Sequence, residues 1–373
     1  MFARHASQPA LRHSKQNRPH DAPRRTNTIS SEPRTVVITG ASAGLGRAIA
    51  HGFARRGARL ALLARNPEAL EAAVEECAQL GGHAIAIPTD VSEADAVEAA
   101  ADRTERELGP IDVWVNDAMV SVFSPVKEMT PADYKRVTDV LYLGFVHGTL
   151  AALKRMSPRD QGRGRGTIIQ IGSALAYRSI PLQSAYCACK HAIVGFTDSL
   201  RCELDHDKSN IQLTHIHMPA MNTMQFDWVK NRLPHNPQPV PPIFQPEVAA
   251  AVVVHAGYAK HPRREYWVGM PTVEAIVGQK FIPGLLDKYL GRTGYKSQQI
   301  QSEPRDPDTP NNLYQYVPGK HSARGKFSDR SAHTSAEAFA SVHRRWFALG
   351  AVALAMAGTT LLTHRGRSWL PWN

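Results

Sequence analysis

Cysteine is scarce. The 373 residues hold four, Cys77, Cys187, Cys189 and Cys202, with no CxxC pair and no metal-like spacing to histidine. That excludes a disulfide framework or a zinc ribbon and fits a reducing compartment. Acidic residues are also in deficit, 33 Asp+Glu against 44 Lys+Arg, for a net charge of +11. Residues 1–32 hold six basic and two acidic residues, residues 301–373 nine and five, and the middle a nearly balanced 29 and 26. A core without a basic excess argues against nucleic-acid binding. Internal repeats are missing. Residues 1–32, rich in Arg, His, Ser, Asn and Pro, lack the apolar run of a secretory signal and read as a disordered basic arm. The 17 histidines are scattered, and although His215 and His217 alternate along one strand-like run, no metal site is expected.

What is present is organised around residues 167–190. The apolar run Thr167-Ile168-Ile169-Gln170-Ile171 reads as a buried strand, and the stripe Ala188, Ile193, Val194, Phe196 and Leu200 as a helix. Tyr186 and Lys190 are four apart and share one face of that helix. Any helix can carry such a pair. Here Ser173 lies thirteen residues upstream of the tyrosine, at a strand end where sites sit in open α/β sheets. A free phenol, with a pKa of ~10, holds its proton too tightly near neutrality. A nearby ammonium favours the phenolate and makes Tyr186 a usable acid/base, while the serine hydroxyl holds a carbonyl oxygen.

A second constellation stands near the start of the balanced region. A strand at residues 34–39 runs into Gly40-Ala41-Ser42-Ala43-Gly44-Leu45-Gly46 and then a helix at 47–56. Glycines let the turn be tight and let backbone N–H groups approach a pyrophosphate at the helix N-terminus. The next strand, residues 58–64, lacks the terminal acid that would bind a ribose 2′-OH. Ala64 takes that place with Arg65 beside it, which suits a 2′-phosphate and so NADP (NADPH).

Ser173 with Tyr186-Cys187-Ala188-Cys189-Lys190, behind a TGxxxGxG turn, resembles the classical short-chain dehydrogenase/reductase family over roughly residues 34–270. The resemblance implies an α/β fold, a Rossmann-type doubly wound parallel sheet flanked by helices. It implies Tyr186 as acid/base, Ser173 as the group orienting the carbonyl, and Lys190 as modulator of the tyrosine pKa and ligand of the nicotinamide ribose. It places Gly40, Ser42, Gly44, Leu45 and Gly46 at the pyrophosphate, Asp90 and Val91 by the adenine, Asn116 tying the central sheet beside the cofactor, and Thr223 on the carboxamide.

Several positions depart from the family pattern. Asn116-Asp117-Ala118-Met119 stands where NNAG is usual, and Ala220 replaces the glycine of a PG…T segment. The proton-relay Asn expected in a helix at 131–156 aligns with Leu141, which cannot hold a relay water, so Leu141→Asn is expected to be tolerated. These departures leave a second reading open, a weakly active dinucleotide-binding sensor or scaffold at the membrane.

Met224, Phe226, Trp228 and the proline-rich run at 233–246 suggest a lid over a hydrophobic carbonyl or alcohol, or else a packed surface loop. The expected division is an arm at 1–32, a catalytic domain at 33–300, a linker at 301–342 and a tail at 343–373. In the tail, residues 346–363 carry no charge, tryptophans stand near both ends and arginines flank it. This hydrophobic helix would be a membrane anchor, with the catalytic domain facing the cytoplasm where NADPH is, or else a core or dimerisation helix of the protein's own packing. A homodimer or homotetramer through the long helices fits the family.

Overall fold

Val36, Val37 and Ile38 are fully buried, and alternate side chains of this run enter two different cores. Only a strand covered on both faces buries such a run. The computed structural model describes residues 34–343, and there this strand lies within a seven-stranded parallel sheet. We number its strands β1 (Thr35–Thr39), β2 (Arg59–Ala64), β3 (His83–Pro88), β4 (Val113–Asn116), β5 (Thr167–Ser173), β6 (Gln212–Met218) and β7 (Glu265–Trp267). Their spatial order is β7-β6-β5-β4-β1-β2-β3, so the chain reverses direction across the sheet between β1 and β4. Such a switch point opens a crevice at the carboxyl ends of the strands.

The helices are α1 (Gly44–Ala54), α2 (Pro67–Gln79), α3 (Ala94–Leu108), α4 (Pro131–Val137), α5 (Gly144–Met156), α6 (Ser184–His206), α7 (Pro246–Tyr258), α8 (Met270–Phe281) and α9 (Pro283–Ser297); a shorter one spans Gln225–Trp228. Residues of α1, α2 and α7 pack on one face with Val36, Ile38, Leu60 and Leu62. Residues of α3, α5 and α6 pack on the other with Val37, Ala61, Leu63 and Trp114. Each fully buried Leu, Ile or Phe contributes ~1.5–3 kcal/mol. Local signals set the helix starts. Asn66 caps α2 through Ala69 N–H with Pro67 in its first turn, and Thr130 and Asp133 form a reciprocal capping box on α4.

Two expectations change. The helix expected at 131–156 is continuous and widens into a π-helical segment, Thr138–Leu143, between α4 and α5. The following helix presses against its neighbours at Gly144 and Gly148, where a Cβ would stand 2.7 Å from Val91 Cγ2 and 2.6 Å from Trp114 Nε1. The stretch expected as a linker at 301–342 is folded onto the domain wherever it is described. Leu313 and Phe327 are buried, Gln299–Pro304 pairs with His235–Pro237, and Ser331–Ala332 pairs with Ile243–Phe244. The arm and the apolar tail lie outside the described residues. Among the described residues no helix is long and apolar enough to cross a membrane.

Candidate active site

The crevice at the switch point is a continuous cleft with about 400 Å³ of free volume, walled by Gly40, Arg65, Asp90, Ser173, Tyr186 and Thr223 among others. Its glycine turn is built as the motif demands. Gly40 has φ +73°, and a Cβ there would meet Ala118 Cα at 2.8 Å. A Cβ on Gly46 would meet the Gly40 carbonyl oxygen at 2.4 Å. Neither position accepts a side chain. The N-cap of α1, Ala43, makes no side-chain cap, but the Gly44 N–H at the helix start is already taken by the Ser322 carbonyl. What fits a dinucleotide is the turn itself, which leaves room for close backbone approach. Ser42, Gly44, Leu45 and Val91 line the cleft, whereas Gly46 acts from behind by letting α1 close on the turn.

Ser173 ends β5, and Tyr186 and Lys190 lie in the first two turns of α6, so strand and helix bring the three into one wall. Ser173 Oγ accepts the Leu175 N–H at 3.1 Å. Burial pushes the Tyr186 phenol above its ordinary range, and the nearby Ser173 hydroxyl is the influence that favours the phenolate. Lys190 Nζ stands 5.6 Å from the Tyr186 ring centroid and donates to the Ile171 carbonyl at 2.6 Å. The ammonium thus stands near the tyrosine ring while its hydrogen bond goes to the sheet.

Sequence reasoning noted Asp117 as a departure and missed its charge. Its backbone N–H donates to Thr39 Oγ1 at 2.9 Å, and its carboxylate lies against Gly46 at the start of α1. Burial raises its pKa, opposed by Lys190. Burial in turn lowers Lys190, opposed by Asp117. The two groups shift each other's titration across the cleft, each opposing the other's burial.

Asp90 lines the cleft as expected, but its carboxylate is tied to Arg136 at 2.7 Å and to the Ser92 N–H at 3.0 Å, which hold its pKa low against burial. Arg65 also lines the cleft. Its Nη1 donates to the Tyr314 carbonyl at 3.0 Å and its Nη2 to the Asn312 carbonyl at 2.5 Å, both in the stretch expected as a linker. Asn116 is not in the cleft. It is fully buried, accepts Trp114 Nε1–H at 2.8 Å and donates to Gln170 Oε1 and Thr149 Oγ1, which makes it a tie between β4, β5 and α5. Leu141, at the relay position, is fully buried in the core.

Beyond the trio the wall is apolar, with Met119, Phe123, Val140, Met218, Phe226 and Leu290. The proline-rich run lines the cleft through Pro239, Val240, Pro241 and Pro242.

Residues 34–232 match the family model for short chain dehydrogenase. The chain belongs to the short-chain dehydrogenase family. An uncharacterized oxidoreductase, YxnA, of Bacillus subtilis is 32% identical over 308 residues, 81% of this chain and 85% of that protein. A putative oxidoreductase, SadH, of Mycobacterium tuberculosis is 34% identical over 52% of this chain and 69% of its own length. An alcohol dehydrogenase of Thermococcus sibiricus, solved with 5-hydroxy-NADP, is similar with 25% identity and a TM-score of 0.55, covering 64% of this chain and 96% of that one. A metagenomic short-chain oxidoreductase in complex with NADP gives 28% identity and a TM-score of 0.53, covering 64% of this chain and 98% of its own. As a short-chain oxidoreductase, the protein has a small-molecule carbonyl or alcohol as its class of substrate. The scaffold reading is not favoured.

Proposed function

We propose that this short-chain dehydrogenase interconverts an apolar carbonyl compound and its alcohol with NADP(H). The observation that carries the reading is the convergence of Ser173, Tyr186 and Lys190 on one wall of a cleft that opens onto the glycine turn at one end and apolar side chains at the other. The bound nicotinamide would supply or accept the hydride. Ser173 holds the substrate oxygen beside the Tyr186 phenol. In reduction Tyr186 gives its proton to that oxygen, and in oxidation it takes the proton back. Lys190, fixed on Ile171, supplies positive charge beneath the tyrosine and faces the ribose. Gly40, Ser42, Gly44 and Leu45 hold the pyrophosphate, Arg65 the 2′-phosphate, Asp90 and Val91 the adenine, and Thr223 the carboxamide.

Met119, Phe226 and Leu290 exclude water from the carbonyl, which favours hydrophobic ketones over small polar ones. The uncharged run at 346–363 supports a further part of the reading, attachment to a membrane with the catalytic domain on the cytoplasmic side. Fractionation of the full chain and of a version ending at residue 341 tests it, and recovery of both without detergent would refute it.

NADPH and NADH oxidation against a panel of apolar ketones and aldehydes tests the activity. Turnover that prefers NADPH and rises with substrate hydrophobicity is expected. No turnover with any member of the panel, by folded protein that binds NADPH, would return the scaffold reading.

A further inference from the structure

Residues 312–322 cross the nucleotide end of the cleft as a strap, and many of its contacts are accepted by its backbone carbonyls. Arg136 Nε donates to the Leu313 carbonyl at 2.9 Å. The Asn66 amide donates to the Val317 and Gly319 carbonyls, each at 3.0 Å. Arg47, held by Glu76 beneath α1, reaches the Lys320 carbonyl at 2.5 Å. The Gly44 N–H in the glycine turn donates to the Ser322 carbonyl at 3.0 Å. Trp228 packs on His321 with ring centroids 4.5 Å apart. Between these anchors, the carbonyls of Asn312 and Tyr314 accept both terminal nitrogens of Arg65.

From these contacts we propose that the strap is a specificity element of the cofactor site, in which the Asn312 and Tyr314 carbonyls hold the Arg65 guanidinium in place to receive an adenosine 2′-phosphate. The proposal rests on the NADP reading of Arg65. Arg65 has five N–H donors, so two carbonyl partners fix its plane and leave three for an anion. A free arginine loses rotamer entropy when it captures a phosphate, and one already fixed loses little. The two carbonyls flank Leu313, whose side chain is fully buried in the core that also holds residues of α3, α5 and α6. Leu313 is therefore the peg that sets the position of both acceptors. Asn312, Tyr316, Val317 and His321 also line the cleft beside Arg65 and Asn66, which makes the strap a wall of the same chamber. Leu313 itself does not line it, so it is a positioning residue acting through Arg65.

The test is calorimetric binding of 2′,5′-ADP and of ADP to the full chain, with melting temperature recorded as a check on folding. Leu313→Ala should weaken 2′,5′-ADP about fivefold while leaving ADP within about twofold, whereas Arg65→Ala should weaken 2′,5′-ADP ~10-fold or more, the scale of a charge-assisted hydrogen bond. Leu313→Ile, which refills the core, should restore the ratio. In an Arg65→Ala background Leu313→Ala should have no further effect on it. If Leu313→Ala does not fold, Leu313→Val should show the same selective loss at smaller size. Equal weakening of both ligands, or an unchanged ratio in a folded Leu313 variant while Arg65→Ala does change it, overturns the strap proposal. An unchanged ratio in Arg65→Ala overturns the NADP reading beneath it.

Discussion

Lys190 Nζ donates to the carbonyl of Ile171 at 2.6 Å, two residues before Ser173 on the same strand. One bond thus fixes the catalytic helix to the strand that carries the serine. Lys190→Ala removes the charge, the tie and the group proposed to face the ribose. It should weaken NADPH binding and turnover together, and leave the Ile171 carbonyl without its partner at a cost of ~1–3 kcal/mol. Titration of cofactor fluorescence, steady-state kinetics and a melt check all three. Loss of turnover with unchanged NADPH affinity would remove the ribose role.

Asp117 and Lys190 set each other's titration. The carboxylate favours the charged lysine, so Asp117→Asn removes the influence that opposes burial, and the Lys190 pKa falls further. If turnover needs the ammonium, the alkaline limb of kcat/KM moves to lower pH in Asp117→Asn. The pH profiles of the two proteins read this directly. Superimposable alkaline limbs would mean that the pair does not govern turnover.

Leu141→Asn reverses an expectation drawn from motif alignment. Read as an empty relay position, Leu141 should accept an asparagine. In the structure it is fully buried among apolar side chains, where an amide lacks partners. The variant should lose ~2–4 kcal/mol, from truncated packing and an unpaired polar group. A melting temperature equal to that of the parent would show that the π-helical segment has room the packing does not suggest.

Asp133 is one acid-sensitive point of the fold. Its side chain is 1% exposed and bonds Lys230 at 2.8 Å and Arg232 at 2.5 Å. These two cations and Thr130 hold its pKa far below the carboxylate range, against the opposing effect of burial. A depressed folded pKa contributes stability that is complete above the unfolded value of ~3.9 and is lost as pH falls below it toward the folded one. Asp133→Asn should cost toward the lower end of ~3–5 kcal/mol, since both cations are partly exposed, and should flatten the loss of stability on acidification below about pH 4. Melts of the two proteins between pH 3 and pH 7 check it. Parallel stability curves would assign the acid sensitivity elsewhere.

The sheet was legible because its strands are buried on both faces, which forces runs such as Val36-Val37-Ile38 and Ile168-Ile169 that no surface element tolerates. The wall of the site was legible because Ser173, Tyr186 and Lys190 lie on one strand–helix unit, where local spacing sets geometry. The strap was not. Proline, glycine and asparagine give it the composition of a linker, and it docks through main-chain carbonyls, which no side-chain pattern reveals. Its partners, Arg47, Arg65, Asn66 and Arg136, lie on three separate helix–strand units far earlier in the chain. Asn116 was assigned to the right motif and placed too near the ligand, since a strand-end residue can face the sheet interior as readily as the cleft. Asp117 was read as a lost asparagine, and its electrostatic influence on Lys190 appears only once α6 is placed.

The central claim is that Tyr186 moves the proton in the reaction this cleft performs. Tyr186→Phe keeps the ring and removes only the phenolic oxygen. The account predicts that NADPH affinity stays within a few-fold of the parent while ketone-dependent NADPH oxidation falls by ~10²–10⁴, the range a positioned acid/base supplies. Near-parental turnover by folded Tyr186→Phe would contradict it.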